Sequence, residues 1–91
     1  MIELGGKIFL EEFSSLEPAK LIVVKKIVGS YVRNVEFADK TFLKLILKLS
    51  QSGNEYCIEG ALENAVGKKE AEARDINLFY SLNSVLTKLR N

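Results

Sequence analysis

The chain has 91 residues, 47% of them hydrophobic, and a formal net charge of +1. That length fits one domain over residues 1–91 with one small core. It contains no histidine and a single cysteine. These counts exclude an imidazole base, a Ser-His or Cys-His nucleophile pair, a histidine-ligated zinc site and an internal disulfide.

No apolar run approaches the ~20 residues that span a bilayer. The start, MIELGGKIFLEEF, has glycines and acids where a signal peptide needs a basic and then an apolar stretch. A cytoplasmic, non-enzymatic protein without a cofactor or metal is expected, with no membrane partner. Gly5-Gly6 alone makes no phosphate-binding loop.

Ile2 to Phe13 reads as one strand, bent at Gly5-Gly6 where a bulge fits. Ser14 and Glu17 have capping-box spacing, and Pro18 suits a first helical turn. The periodicity predicts a helix from Pro18 to Asn34. Leu21, Val24, Ile27, Val28, Tyr31, Val32 and Val35 share its apolar side, and Lys26 and Arg33 lie on the opposite side. Ile22 also falls on that polar side, as a tolerated surface residue or a contact spot. Val35 to Lys40 is expected to be a connection.

TFLKLILKLS alternates with period two. Leu43, Leu45, Leu47 and Leu49 point one way; Phe42, Lys44, Ile46 and Lys48 point the other. Gln51 to Asn54 supplies turn chemistry, and EYCIEGALENA answers as the second strand of a hairpin. Tyr56, Ile58, Gly60 and Leu62 face the core, with Cys57, Glu59, Ala61 and Glu63 opposite. Lysines on one strand face glutamates on the next, so pairs such as Lys44 with Glu59 are expected. Glu70, Glu72 and Arg74 alternate with Ala71 and Ala73 in a third hairpin strand. At Asp75 the period becomes helical: Leu78, Phe79, Leu82, Val85, Leu86 and Leu89 form an apolar stripe. Asp75 or Asn77 caps this helix, and Asn77, Ser81, Ser84 and Lys88 lie on its wet side.

The order is β-α-β-β-β-α. The expected fold is α+β, a two-layer sandwich with both helices on one face of a four-stranded, mainly antiparallel sheet. Charge is uneven along it. Residues 20–50 carry seven basic side chains against Glu36 and Asp39, while residues 1–19 and 51–75 are acidic. Lys25, Lys26 and Arg33 on the first helix, with Lys88 and Arg90 at the end of the second, are the candidate phosphate contacts. Lys88 and Arg90 equally suit a helix C-terminus. On the far side of the sheet Phe42, Ile46 and Ala61, near Cys57, are candidates for a dimer contact.

This element order and the closing stretch resemble the ribosome hibernation-promoting factors, or ribosome-associated inhibitor proteins. Their last helix commonly reads D-M-Y-A-A-I-D-x-x-x-D-K-L. The matching run here is Asn77-Leu78-Phe79-Tyr80-Ser81-Leu82-Asn83-Ser84-Val85-Leu86-Thr87-Lys88-Leu89, preceded by EAEARD. Asn77, Asn83 and Thr87 stand where the family tends to have aspartate, and Tyr80 where it tends to have alanine. The resemblance implies a double-stranded-RNA-binding-like topology. It also implies a partner, the ribosome, held through basic side chains on rRNA phosphate where tRNA and mRNA would lie. A homodimeric interaction module is the alternative that the residues leave open.

Overall fold

The computed structural model describes residues 2–90. Two helices pack on a five-stranded mixed sheet of order β1-β2-β3-β4-β5. The strands are β1 (Ile2–Leu4), β2 (Ile8–Glu11), β3 (Phe42–Ser52), β4 (Glu55–Asn64) and β5 (Lys68–Asp75). The helices are α1 (Pro18–Ala38) and α2 (Leu78–Arg90), and a short 3-10 turn covers Phe13–Ser15.

The expected single first strand is two strands, so the sheet has five and not four. Gly5 and Gly6 have φ of +61° and +76°, and the Lys7 N–H donates to the Leu4 carbonyl. Two successive positive φ values form a type I′ turn, which glycine adopts without steric cost. β1 therefore folds back antiparallel on β2, with Ile2 opposite Leu10 and Leu4 opposite Ile8. β2 and β3 run parallel, as a crossover through α1 permits, and the remaining pairs are antiparallel.

α1 starts at Pro18, with Glu17 at the cap making no side-chain bond, so the expected Ser14 capping box is absent. Ser14 lies instead in the 3-10 turn. The helix also runs past Asn34 to Ala38, through what the sequence reads as a connection. Nothing in Val35-Glu36-Phe37-Ala38 breaks a helix: no glycine or proline interrupts it. The stop comes at Asp39, whose backbone is extended. Its carboxylate accepts from the Thr41 N–H at 2.9 Å, the Thr41 hydroxyl at 2.6 Å and Asn64 Nδ2 at 3.1 Å. The Thr41 bonds, above all, hold the Asp39 carboxyl below the usual carboxylate range.

A continuous core lies between the sheet and the helices. Leu45, Leu47, Leu49, Ile58 and Leu62 from the sheet meet Val24, Val28, Tyr31 and Val32 from α1 and Leu82, Val85 and Leu89 from α2. The alternation fails at one place. A bulge between Phe42 and Lys44 puts Phe42 into the core and turns Leu43 out to 55% exposure. Phe42 is thus not on the outer sheet face. Gly60 has a packing role: a Cβ there would sit 3.0 Å from both Leu47 Cδ2 and Leu89 Cδ1. Its bare backbone lets α2 lie close over β4.

At the β5–α2 junction Asn77 is the cap. Its Oδ1 accepts from the Phe79 and Tyr80 N–H groups at 2.9 and 3.2 Å, and Asp75 Oδ1 accepts from the Asn77 N–H. Ser81 is buried and not wet. Its hydroxyl donates to the Leu78 carbonyl at 2.8 Å, which satisfies it within the helix. Among the described residues no helix is long and apolar enough to cross a membrane.

Candidate nucleic-acid interface

The outer ridge of α1 follows from its helical period. Ile22, Lys26, Arg33 and Phe37 fall within a sector of about 60°, opposite the buried Val24, Val28 and Val32. All four are exposed. Lys26 and Arg33 make no ion pair among the described residues. Gly29 lies between them at the edge of the sector, and a Cβ on it would meet nothing within 4 Å. Lys25 is half-buried on the flank of the helix, away from the ridge.

Lys40 extends the ridge. Its ammonium sits 5.4 Å from the Phe37 ring centroid, within cation–π range. Beside Phe37 lies a shallow hollow of about 410 Å³, lined by Lys7, Arg33, Glu36, Asp39, Lys40 and the buried Phe42. Lys7 pairs with Glu36 at 2.9 Å and lies 6.0 Å from the Phe42 centroid. Of the two acids, Glu36 is therefore matched by Lys7, and Asp39 is occupied by Thr41 and Asn64. Asp39 stays ionised, so Arg33 and Lys40 leave one positive charge in excess there.

The candidates on α2 sit elsewhere. Lys88 Nζ donates to the Glu72 carbonyl oxygen at 2.8 Å, tying α2 to β5. Arg90 lines a separate hollow of about 270 Å³ with Tyr31, Asn34, Asn64 and Lys69, on the side of α1 that faces α2. Burial raises the Tyr31 hydroxyl's pKa, and the positive charge of Arg90 partly offsets this. The structure thus brings Lys26 and Arg33 together, and it places Lys88 and Arg90 apart from that ridge. Phe37, Lys40 and Lys7 were not singled out by sequence reasoning. Continuing the α1 period one more turn puts Phe37 on the Lys26–Arg33 side, so the signal was present.

On the outer sheet face Phe9, Ile46, Ala61 and Glu70 align in register across four strands. Ile46 and Ala61 are half-buried, and Cys57 is buried. Lys44 pairs with Glu63 at 3.8 Å, while Lys48 stands opposite Glu59. The expected Lys44–Glu59 pairing is therefore off by four residues, two steps of the alternation. Tyr80 is exposed on α2. No group of three or more acidic, cysteine or histidine side chains among the described residues could hold a metal ion.

No protein-family model and no curated protein matches the sequence. Among solved structures the fold is similar to that of a ribosomal subunit interface protein from Coxiella burnetii, with a TM-score of 0.67 and 8% identity. The match covers 91% of this chain and 86% of that one, so the likeness extends over nearly the whole of both folds and is one of architecture.

Proposed function

We propose that this chain is a cytoplasmic, non-enzymatic, ribosome-associated protein that holds rRNA through phosphate contacts from its basic helix surfaces. The observation that carries the reading is the α1 ridge, where Lys26 and Arg33 stand about 10 Å apart along one line. Neither makes an ion pair among the described residues. Phosphate binding requires such cations, because each contact releases counterions from the nucleic acid. The fold shared with a ribosomal subunit interface protein supports the same partner. Lys25 flanks the contact, Arg90 makes a separate one from the hollow beside Tyr31, and Lys88 joins only by leaving the Glu72 carbonyl. A role in regulating translation follows from occupying the ribosome.

The test is co-sedimentation with ribosomes across a salt series. Replacing Lys26, Arg33 and Lys88 with alanine should weaken binding and make it less salt-sensitive. Loss of two to three phosphate contacts lowers the log–log slope by roughly 0.7–0.9 for each contact. Unchanged affinity and slope in the triple variant would reject the surface.

The row of Phe9, Ile46 and Ala61 on the helix-free side of the sheet supports a second reading, a homodimer through that face. Under it Ile46→Lys dissociates a dimer seen by sedimentation. A wild-type chain that stays monomeric at high concentration removes this reading.

A further inference from the structure

We infer that Phe37 is a stacking platform for an unpaired base, with Arg33 and Lys40 holding the phosphates on either side, so that the ridge of α1 binds a single-stranded stretch of RNA. The inference rests on the reading of α1 as the RNA-contacting element and goes beyond it. Phosphate contacts alone do not distinguish paired from unpaired RNA; an exposed aromatic ring does.

Phe37 is 83% exposed, the most exposed aromatic side chain among the described residues. It contributes nothing to the core, although Val24, Val28, Tyr31 and Val32 on the same helix are all buried there. Its position on the last turn of α1 leaves the ring exposed beside the hollow of about 410 Å³. Lys40 lies over the ring at 5.4 Å, so a cation and a π-face are presented together. Arg33 lies four residues before Phe37, one turn of helix away, and lines the same hollow.

Charge selects the occupant. Three cations, Lys7, Arg33 and Lys40, line the hollow with two acids; Lys7 pairs with Glu36, so Arg33 and Lys40 face the ionised Asp39 with one positive charge in excess, which favours an anion. A groove with cations along the backbone path and an aromatic ring for the bases is the arrangement that single-stranded nucleic acid requires. A base inside a duplex is already stacked on both faces and cannot cover Phe37 without being unstacked. Upstream, Gly29 presents no side chain between Lys26 and Arg33, and nothing within 4 Å of its Cβ position demands a glycine. The bare helix there lets a backbone approach closely between the two cations.

The experiment is fluorescence anisotropy of the full chain with a labelled single-stranded RNA of roughly ten nucleotides and with a duplex of the same sequence. Phe37→Ala is expected to weaken single-strand binding about tenfold while leaving the salt slope and duplex binding unchanged. Phe37→Tyr, which keeps the ring, should retain wild-type affinity. Lys26→Ala/Arg33→Ala should weaken both RNAs and flatten the salt dependence. Because Phe37 is exposed, an unchanged urea midpoint confirms that Phe37→Ala folds normally. If Phe37→Ala binds single strands like wild type, or Phe37→Tyr loses as much as Phe37→Ala, the platform is overturned. In that case the ridge itself stands, provided the Lys26/Arg33 variant is still weakened. If that variant also binds normally, or the wild-type chain binds neither RNA, the reading of α1 falls with it.

Discussion

The Tyr31 hydroxyl donates to the Leu86 carbonyl oxygen at 3.0 Å, joining the two helices across 55 residues of sequence. It is a direct polar tie between α1 and α2. Together with the buried Val24, Val28 and Val32 it holds the rotation of α1 that leaves Lys26, Arg33 and Phe37 outward. Removing it in Tyr31→Phe should cost about 1 kcal/mol, the net worth of a typical intramolecular hydrogen bond. Burial raises the Tyr31 pKa in the fold. The fold therefore favours the protonated phenol. That contribution is complete below the unfolded value of about 10 and declines as pH rises through the raised folded value. Phenylalanine does not titrate. The stability gap between wild type and Tyr31→Phe should thus narrow above about pH 10, measured by urea unfolding at neutral and alkaline pH.

Two glycines should respond with opposite sign. At Gly60 a Cβ already meets Leu47 and Leu89 at 3.0 Å, and Val85 at 3.3 Å. The further methyls of Gly60→Val have no space, so the substitution should destabilise by about 1–3 kcal/mol through overpacking under α2. At Gly29 there is open space, and the φ is not positive. Gly29→Ala should stabilise by about 0.5–1 kcal/mol by restricting the unfolded chain in a helix interior. Denaturant midpoints measured side by side check both.

The bulge in β3 makes a prediction that simple alternation reverses. Phe42 is 5% exposed and Leu43 is 55% exposed. Phe42→Ala should cost about 3–5 kcal/mol, as for other buried aromatic truncations. Leu43→Lys should change stability by no more than about 0.5 kcal/mol. Thermal unfolding of the two variants separates the bulged register from the regular one, in which Leu43 would be the costly position.

Much of the architecture was legible because burial leaves a period in the sequence. Leu45, Leu47 and Leu49 alternate because one face of β3 is covered. The switch at Asp75 marks where β5 gives way to α2. The extra hairpin was hidden by parity. Ile2, Leu4, Ile8 and Leu10 keep the same alternation on both sides of the turn, because three residues separate Leu4 from Ile8. A bent strand and a hairpin then leave the same pattern. Ser81 was misplaced because a hydroxyl looks polar in sequence, yet it bonds to the Leu78 carbonyl of its own helix and is buried without loss.

The sequence by itself determined the α+β class, the two amphipathic helices, the Asn77 cap region and the leucine-rich face of the sheet, since each depends on near neighbours in the chain. It also placed Lys26 and Arg33 on one line of α1, because helical spacing alone does that. The tertiary structure decided what those side chains meet. Lys88 is drawn to the Glu72 carbonyl, Arg90 is set beside Tyr31, and Lys7 reaches Glu36 across 29 residues of sequence. It also assembled Phe37, Lys40 and Arg33 around one hollow. Ion pairing and exposure depend on elements brought together from distant parts of the chain. Local periodicity carries no record of which partner arrives.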